Sequence, residues 1–407
     1  MSSDVPWEVR RLAEIADDWK QTWKPRESTA AIVDHYSIPA FDQGREPSCD
    51  RPADIKSNKR VVAKDAVLVS RLNPSTPRIW APSLKAGRES VCSTEMLVLR
   101  PREGVDRSFL HYLCWSPHVS TALLERVSGT TGSHQRVAAR DVLSLPVPVP
   151  PLSQQRAIAE VLGALDDRIE WCGRAVDLAY ELQDAFFAEL NAREGVRRRP
   201  LGDFVQLNKG VSYTGADITD DRGAPALVNL GNFGRGRAPR WEKLKRYRGP
   251  TRPRHHVSQG EVVICATDMT HDRVVLGKAL IVPERLGAAA ISHHLYAMRI
   301  QPDAPLSPWV AVLALSHEPI RRVVASYANG TTVLSLPRDA IERAEVPIPP
   351  REQQAAFDSS VAQLQAAIEH CNDQAATLRQ LRDILLPKLL SGELRIENPE
   401  RLLEGVA

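Results

Sequence analysis

The chain repeats itself over a distance of 199 residues. The segment VPVPPLSQQ at 147–155 returns as VPIPPREQQ at 346–354, and a long periodic pattern of apolar residues follows each copy. Such a repeat can contain a whole domain and a connecting helix, unlike the roughly 20 to 50 residues of a solenoid unit. The 407 residues are therefore predicted to fold as two related halves.

Each proline-rich segment opens a pattern in which apolar residues recur in steps of four and three, as in a coiled-coil seam. Each helix is predicted to run for roughly 35 to 40 residues, or about 55 Å. The residues predicted to pair the helices are Ile158, Leu162, Leu165, Ile169, Phe357, Val361, Leu364 and Ile368, and the seam is predicted to continue through Phe186, Leu190, Leu385 and Leu389.

Polar residues interrupt the seam at the same step in both copies, Gln183 in the first and Arg382 in the second. A single polar residue in a seam often sets how helices pair, at some cost in stability. The alternative is that both residues lie at frayed ends that face solvent.

Short runs of β-branched residues bounded by Gly, Pro and Asn are typical of strands and occur in both halves, for example at Ala66–Ser70 and Glu261–Cys265. Helical patterns follow late in each half, over Phe109–Val127 and Pro308–Tyr327. We therefore predict the α+β class, with two pseudo-symmetric mixed α/β domains rather than a doubly wound sheet.

The repeat also gives the predicted boundaries. We expect globular domains at 1–150 and 196–350, long helices at 151–195 and 351–392, and a tail at 393–407.

Composition excludes several classes of protein. Hydrophobic residues make up 43% of the chain, and no run approaches the roughly 18 apolar residues of a membrane span. The N-terminal residues have neither the basic nor the apolar region of a secretory signal, so we expect a cytoplasmic protein without membrane contact. The six cysteines never adopt a C-x-x-C spacing, which favours reduced thiols over a zinc site or disulfides.

Motifs that carry enzymatic chemistry are missing from the sequence. The Pro-Pro pairs lie in the helix openings rather than in an N-P-P-Y tetrapeptide, and the chain lacks a P-loop and a G-x-S-x-G elbow. The glycines at 231–236 have the wrong spacing for a cofactor loop, and the histidines at 255–256, 271 and 293–294 lack the spacing of a metal site. We predict no catalytic residues, no metal and no cofactor in this chain.

Basic residues gather locally although the net charge is only +3. A stripe in the second half interleaves cations with Trp241 and Tyr247, a composition that suits phosphates, although such runs are often simply solvated faces. The cations predicted to bind DNA are Arg235, Arg237, Lys245, Arg246, Arg248, Arg252 and Arg254, and Arg240 and Lys243 lie among them.

The first half carries a proline-stiffened loop, Ser70–Trp80, directly after a strand. Its side chains can pair with base edges, arginine with guanine and asparagine with adenine, or can simply form a hydrogen-bonded turn. The further residues predicted to contact DNA are Lys59, Arg71, Asn73, Ser75, Thr76, Arg78, Ser133, His134, Gln135, Arg136, Thr331 and Thr332.

The duplicated chain resembles the specificity subunits of Type I restriction-modification systems over nearly its whole length. The resemblance is carried by YSIPAFD at 36–42, IKSNK at 55–59, the Ser70–Trp80 loop, and SHQR at 133–136. Both proline-rich helix openings and the closing LLSGEL at 389–394 complete the same order along the chain.

This resemblance implies two target-recognition domains, each reading one half of a split site in double-stranded DNA. Two antiparallel helices would set the distance between the half-sites and dock two methyltransferase subunits, and two restriction subunits would join in systems that cleave. S-adenosylmethionine, ATP and Mg²⁺ would belong to those partners, and this subunit would be non-catalytic.

Other functions remain open at this point. A coiled-coil adaptor that binds no DNA would use the same paired helices, and a specificity subunit could equally serve a methylation-only or another phage-defence complex. A self-sufficient nuclease or methylase would need an acid or cofactor cluster that the sequence does not show.

Overall fold

The structure is a computed structural model that describes residues 7–127, 135–234, 236–270 and 272–399. The chain forms two compact units. The first combines Met1–Cys172 with Asp373–Ala407, and the second is Gly173–Asn372.

Two helices of 41 residues dominate the secondary structure, one after each proline-rich segment. Because the unit boundaries fall inside them, each long helix gives one half to each unit. The predicted domain boundaries remain a prediction. The helices are α1 Leu12–Ile15, α2 Ile38–Gly44, α3 Arg107–Trp115, α4 Pro117–Leu124, α5 Ala139–Leu143, α6 Leu152–Ala192, α7 Pro308–Ser316, α8 Glu318–Ser326, α9 Arg338–Glu342 and α10 Arg351–Ser391.

The first unit contains a four-stranded antiparallel sheet in the order β2-β10-β7-β8, a five-stranded mixed sheet in the order β3-β6-β9-β4-β5, and the pair β1-β11. Only β4 and β9 of the five-stranded sheet run parallel. The strands are β1 Glu8–Arg11, β2 Ala16–Asp18, β3 Thr22–Trp23, β4 Val33–Tyr36, β5 Ser48–Asp50, β6 Lys59–Val61, β7 Val67–Ser70, β8 Ile79–Trp80, β9 Ser90–Cys92, β10 Met96–Pro101 and β11 Pro146–Val149.

The second unit repeats this plan with the sheets β13-β22-β18-β20 and β14-β16-β15-β21-β17, in which β15 and β21 run parallel. The pairs β12-β24 and β19-β23 complete it. The strands are β12 Arg197–Pro200, β13 Val205–Lys209, β14 Ile218–Thr219, β15 Ala226–Val228, β16 Lys245–Tyr247, β17 His256–Val257, β18 Val262–Cys265, β19 Thr267–Asp268, β20 Ala279–Ile281, β21 Ala289–Ile291, β22 Leu295–Ile300, β23 Leu334–Ser335 and β24 Glu345–Ile348.

Each late helical pattern is broken into two short helices. The break falls at Ser116 in the first unit and at His317 in the second, and both residues have extended backbone angles. Pro117 directly follows the first break and forces that conformation on Ser116, since proline disfavours a helical residue before it. The two breaks are equivalent, which confirms that the globular parts are repeats of one fold.

The long helices run antiparallel inside each unit. In the first, Asp166 of α6 binds Arg382 of α10 at 2.7 Å, whereas Cys172, further along α6, meets the earlier residue Gln374 of α10. In the second, the ring of Phe187 in α6 lies 6.5 Å from that of Phe357 near the start of α10. The predicted fold class, with two related mixed units and two long antiparallel helices, is confirmed.

The predicted seam lies where the helices pair. Ile158, Leu162, Leu165, Phe357, Val361 and Ile368 are buried, and Ile169 and Leu364 are partly buried. At the step directly after each polar residue, however, the seam differs from the prediction by one position, whereas the predicted Leu190 and Leu389 are buried. Phe187 and Leu386 are buried in place of the predicted Phe186 and Leu385, which are only partly buried.

The polar residues of the seam do not face solvent. Gln183 is 2% exposed, and the side chain of Arg382 is 12% exposed. The interpretation as frayed, solvent-facing ends is therefore wrong.

The second glutamine of each proline-rich segment holds the loop that precedes α3 or α7. Gln155 accepts a hydrogen bond from the Asp106 N–H at 2.8 Å and donates to the carbonyls of Gly104 and Pro150. Gln354 accepts from the Ser307 N–H at 2.8 Å, with carbonyls of two prolines in place of the other partners. In both units the repeated motif therefore supplies a buried glutamine that fixes a loop through three backbone hydrogen bonds.

The two units differ sharply at one place beside α3 and α7. In the first, Asp166 accepts hydrogen bonds from the Tyr112 hydroxyl at 2.8 Å and from Arg382 at 2.7 Å, and the Arg382 guanidinium lies 4.4 Å from the centre of the Trp115 ring. These four residues are called the Asp166 cluster below. The equivalent residues of the second unit are Leu313 for Tyr112, Ser316 for Trp115, Gln365 for Asp166 and Gln183 for Arg382.

Candidate nucleic-acid interface

The structure brings together two segments of the first unit that lie more than 60 residues apart in sequence. The Asn73 N–H donates to the Gln135 carbonyl at 2.9 Å, and the Val137 N–H donates to the Arg71 carbonyl at 3.1 Å. The loop after β7 and the segment after the undescribed residues 128–134 therefore form one edge. Predicted residues of both segments lie at this edge, Ser133 and His134 being outside the described residues.

Glu95 positions the two arginines of this edge. Its carboxylate contacts Arg136 at 2.8 Å and Arg71 at 3.8 Å, and Arg71 also donates to the Thr94 carbonyl at 3.0 Å. Two cations share one carboxylate, so the edge keeps a positive charge. The Arg136 side chain is 58% exposed, which leaves it accessible to an anionic partner.

Asn73 has a left-handed backbone conformation with φ of 50°, an angle that asparagine tolerates better than most residues. Its Oδ1 is buried without a hydrogen-bond partner among the described residues. Ser75 and Thr76 are exposed at the tip of the loop, where the Thr76 N–H closes a turn onto the Asn73 carbonyl. The predicted turn and the predicted reading loop are thus the same segment.

Arg78 is bound by an acidic residue of the same unit and is mostly buried. Its Nε and Nη2 donate to the two carboxylate oxygens of Asp42 at 2.7 and 2.8 Å, and its side chain is only 10% exposed. Nearby, the Trp80 ring packs edge-on against Tyr36 and Phe41. The YSIPAFD segment at 36–42 therefore holds the end of the loop through contacts with Arg78 and Trp80. The sequence analysis did not predict this role for Asp42.

We expect the Arg78–Asp42 pair to contribute about 1 to 2 kcal/mol, reduced by the partial exposure of Asp42. The hydrogen bond from Arg78 lowers the pKa of Asp42 below its usual value. Because this pKa is lower in the folded chain, ionised Asp42 stabilises the folded state at pH values above the ordinary aspartate pKa of about 3.9. The stabilisation is lost as the pH falls through the lower, folded-state pKa.

Unfolding of Asp42→Asn and of the unmodified chain should therefore differ by a constant amount from pH 8 to about pH 5 and converge below about pH 4. Asp54→Asn, which removes an exposed pair with Arg51, is the matched control and should have little effect. A difference between Asp42→Asn and the unmodified chain that grows as the pH falls would contradict this account.

Lys59, at the start of β6, is partly buried. Its amine donates to the Ser57 hydroxyl at 2.8 Å, and burial lowers the pKa of Lys59. The structure does not bring it into contact with the Arg71 and Arg136 edge.

The cations of the predicted basic stripe in the second unit differ in exposure and in the contacts that they make within the unit. Arg237 pairs with Asp184, donates to the Tyr180 carbonyl at 3.0 Å and stacks on the Tyr180 ring, and its side chain is still 36% exposed. Arg246 donates to the Ala224 carbonyl at 3.0 Å and is partly buried. Arg235 lies outside the described residues. The other exposed cations of the stripe are Lys243, Lys245, Arg248, Arg252 and Arg254.

Two of the exposed cations contact side chains that the sequence analysis did not single out, Tyr213 and Asp221. Lys245 lies 5.5 Å from the centre of the Tyr213 ring, and Arg248 binds Asp221 at 2.5 Å. Burial and the charges of Arg254 and Arg252 lower the pKa of His255 between them, so its imidazole is neutral at physiological pH. The only sequence signal for Tyr213 was an aromatic residue in a polar, glycine-rich stretch.

The edge of the first unit has a counterpart with different chemistry. In the second unit β19 pairs with β23, and the Leu336 N–H donates to the Ala266 carbonyl at 2.7 Å. This bond is equivalent to that between Val137 and Arg71, so an alanine stands where the first unit has an arginine. Thr331 and Thr332 are exposed in the loop before β23. The two units thus present different side chains on the same scaffold.

Neither a membrane span nor a metal centre is found in the described part of the chain. No described helix is long and apolar enough to cross a bilayer, and no described group of three His, Cys, Asp or Glu side chains is placed to hold a metal ion. None of the six cysteines, all of which are described, forms a disulfide, and burial raises the pKa of Cys92, Cys114 and Cys265 to about 12.

Comparison with known proteins identifies the class that this fold and edge define. Residues 4–173 match the model of the Type I restriction modification DNA specificity domain. This part of the sequence is therefore similar to a domain that is named for DNA specificity. The predicted resemblance to Type I specificity subunits is confirmed.

Similar proteins agree over a larger part of the chain. The Type I restriction enzyme MjaIX specificity subunit of Methanocaldococcus jannaschii is 23% identical over 328 residues, which are 73% of this chain and 71% of that protein. The crystal structure of a Type I restriction-modification S subunit from M. genitalium superposes with a TM-score of 0.62 at 14% identity, and covers 96% of this chain and 97% of that one. The second similarity concerns the fold alone.

Proposed function

We propose that this chain is the DNA-reading, non-catalytic subunit of a Type I restriction-modification complex, in which each unit reads one half of a split site. The observation that carries the proposal is the repeated edge, built on one scaffold but with different side chains in each unit. Two related readers with different chemistry suit two different half-sequences at a fixed separation.

The first half-site would be read at the edge of Arg71, Asn73 and Arg136, with the exposed Ser75 and Thr76 beside it. An arginine can bind guanine through two hydrogen bonds. Arg78 would act indirectly, because its guanidinium is already occupied by Asp42.

The second half-site would lie on the unit that carries the exposed cations Lys245, Arg248, Arg252 and Arg254. Phosphate contacts from such cations position a protein on DNA without reading its sequence. In that unit Thr331 and Thr332 are candidates for base contacts.

The long helices would set the half-site spacing and dock methyltransferase subunits. The predicted seam residues are mostly buried within their own units, so a partner would contact the outward side chains instead. Trp171, Leu178 and Leu182 of α6 are exposed at spacings of seven and four residues, which places them on one helix face. Leu381 and Ile384 of α10 are likewise exposed.

Chemistry would belong to the partners in this proposal. S-adenosylmethionine would be bound by the methyltransferase subunits, and ATP and Mg²⁺ by restriction subunits in a system that cleaves. A cytoplasmic location fits such a complex.

The deciding experiment co-expresses this chain with its methyltransferase partner in a methylation-free host and maps modified adenines by long-read sequencing. We expect a split motif with a fixed gap. An assembled complex that modifies no DNA would instead favour the coiled-coil adaptor.

Substitutions should then separate the half-sites. Arg136→Ala is expected to weaken or alter one half of the motif only, at a cost of about 1 to 3 kcal/mol if the lost contact has two hydrogen bonds. Lys245→Ala should weaken binding to all sequences and reduce its salt dependence.

The matched control is Arg102→Ala, which removes an exposed arginine that is also paired with an acid, Asp17. It should leave the motif and the salt dependence unchanged. If Arg136→Ala behaves like this control, the edge of the first unit is not a reading surface.

A further inference from the structure

The second unit contains a cavity of about 860 Å³. Its walls come from residues 173–192 of α6, from α7 and from β20, and they include the rings of Tyr180, Trp241 and Trp309. A space of this size can hold a bulky side chain with part of its backbone, or a small molecule.

The repeat shows why this place is open. Its lining includes Gln183, Leu313, Ser316 and Gln365, which are the counterparts of the Asp166 cluster. In the first unit, the same position is filled by the Arg382 guanidinium against the Trp115 indole. The second unit lacks that indole and that guanidinium at the equivalent positions.

Two buried polar atoms at the cavity have no hydrogen-bond partner among the described residues. They are Nε2 of Gln183, whose side chain is almost fully buried, and Nδ1 of His317. An unpaired buried amide N–H is costly, so such a group is usually matched by water or by a ligand. The Gln183 amide can donate to a carbonyl oxygen.

The described lining also carries more acids than bases. Its carboxylates are Asp184, Asp272, Glu284, Glu318 and Glu369, and its cations are Arg237, Lys278 and Arg321. Gln365 donates to Glu369 at 3.1 Å, so that one oxygen of this carboxylate is fixed beside the aromatic walls. An excess of negative charge next to indole rings favours a planar cation.

We propose that this cavity receives an arginine side chain from a partner polypeptide. The guanidinium stacks on an indole of the lining, Trp241 or Trp309, because Arg237 already covers the Tyr180 ring, and a backbone carbonyl of the same segment accepts a hydrogen bond from Gln183. The site is distinct from the DNA-reading edge, and its occupation does not depend on the DNA-reading role.

The test uses the full chain and titrates it calorimetrically with acetyl-arginyl-tryptophan amide, which supplies the two groups that the first unit has and the second lacks. We expect saturable binding of one dipeptide per chain, and binding at least tenfold weaker for acetyl-glutamyl-tryptophan amide. No saturable binding up to millimolar concentration, or equal binding of the two dipeptides, would overturn the proposal.

Two variants locate the site. Ser316→Trp and Gln183→Arg each restore one group of the Asp166 cluster inside the second unit, so each should weaken binding of the arginyl dipeptide at least tenfold. If Ser316→Trp does not fold, Gln183→Arg decides alone, because its longer side chain enters an existing cavity. Undiminished binding by a folded variant would show that the dipeptide binds elsewhere.

Discussion

Asp166→Ala is expected to lower the free energy of unfolding of the first unit by about 2 to 3 kcal/mol. The substitution leaves the Arg382 guanidinium, which is mostly buried, with Asp383 and the Trp115 ring as its remaining side-chain partners in the described part of the chain. It also removes the acceptor of the Tyr112 hydroxyl. Removing one member of a buried pair is costly chiefly because the other charge stays behind.

Because the chain has two units, the loss is best measured by hydrogen exchange at amides of α3 rather than from a single unfolding curve. The repeat supplies the control, since Gln365 stands at the same step of α10 as Asp166 does of α6. Gln365→Ala should cost less than about 1 kcal/mol, because Gln365 balances no buried cation. Similar losses in both variants would mean that Asp166 matters only as a helix residue.

Gln155→Leu and Gln354→Leu are each expected to cost about 3 kcal/mol. Both glutamines are almost fully buried, at 1% and 4% exposure, and each makes three hydrogen bonds to the backbone. Leucine fills a similar volume but leaves one N–H and two carbonyls without these partners. The large effect therefore comes from desolvated backbone groups rather than from a cavity.

The measurement is again hydrogen exchange, now at α3 for Gln155→Leu and at α7 for Gln354→Leu. Ser153→Ala, an exposed position in the same turn, should change stability by less than about 0.5 kcal/mol. The prediction fails if either leucine variant is as stable as this control, or if Gln155→Leu affects both units equally.

Local patterns were sufficient to predict the repeat, the long helices and most of the seam. Leu162 and Val361 could be placed because a seam depends only on spacing along one helix. The shift to Phe187 could not be predicted, because Phe186 and Phe187 are both apolar and the local pattern fits either. The choice depends on what the facing helix and α7 present.

The candidate interface was predicted less completely for a different reason. Arg71 and Arg136 were identified as residue types suited to DNA, and the structure brings their segments together. The same reasoning could not identify the acidic partners of the arginines, which are Glu95 for Arg71 and Arg136, Asp42 for the mostly buried Arg78, and Asp184 for Arg237. Ion pairs such as Arg237 with Asp184 join residues far apart in sequence, and no spacing rule reveals them.

At Gln183 and at Arg382 the buried seam advances by four residues twice in succession, and this spacing departs from a strict heptad. Ala179, Gln183, Phe187 and Leu190 span an eleven-residue repeat, which locally unwinds the supercoil of a heptad seam. An inserted block of three or four residues preserves the apolar face, whereas a single residue turns it by about 100°. Viable helices therefore lengthen in increments of about 4.5 to 6 Å, between one and two base-pair steps of about 3.4 Å.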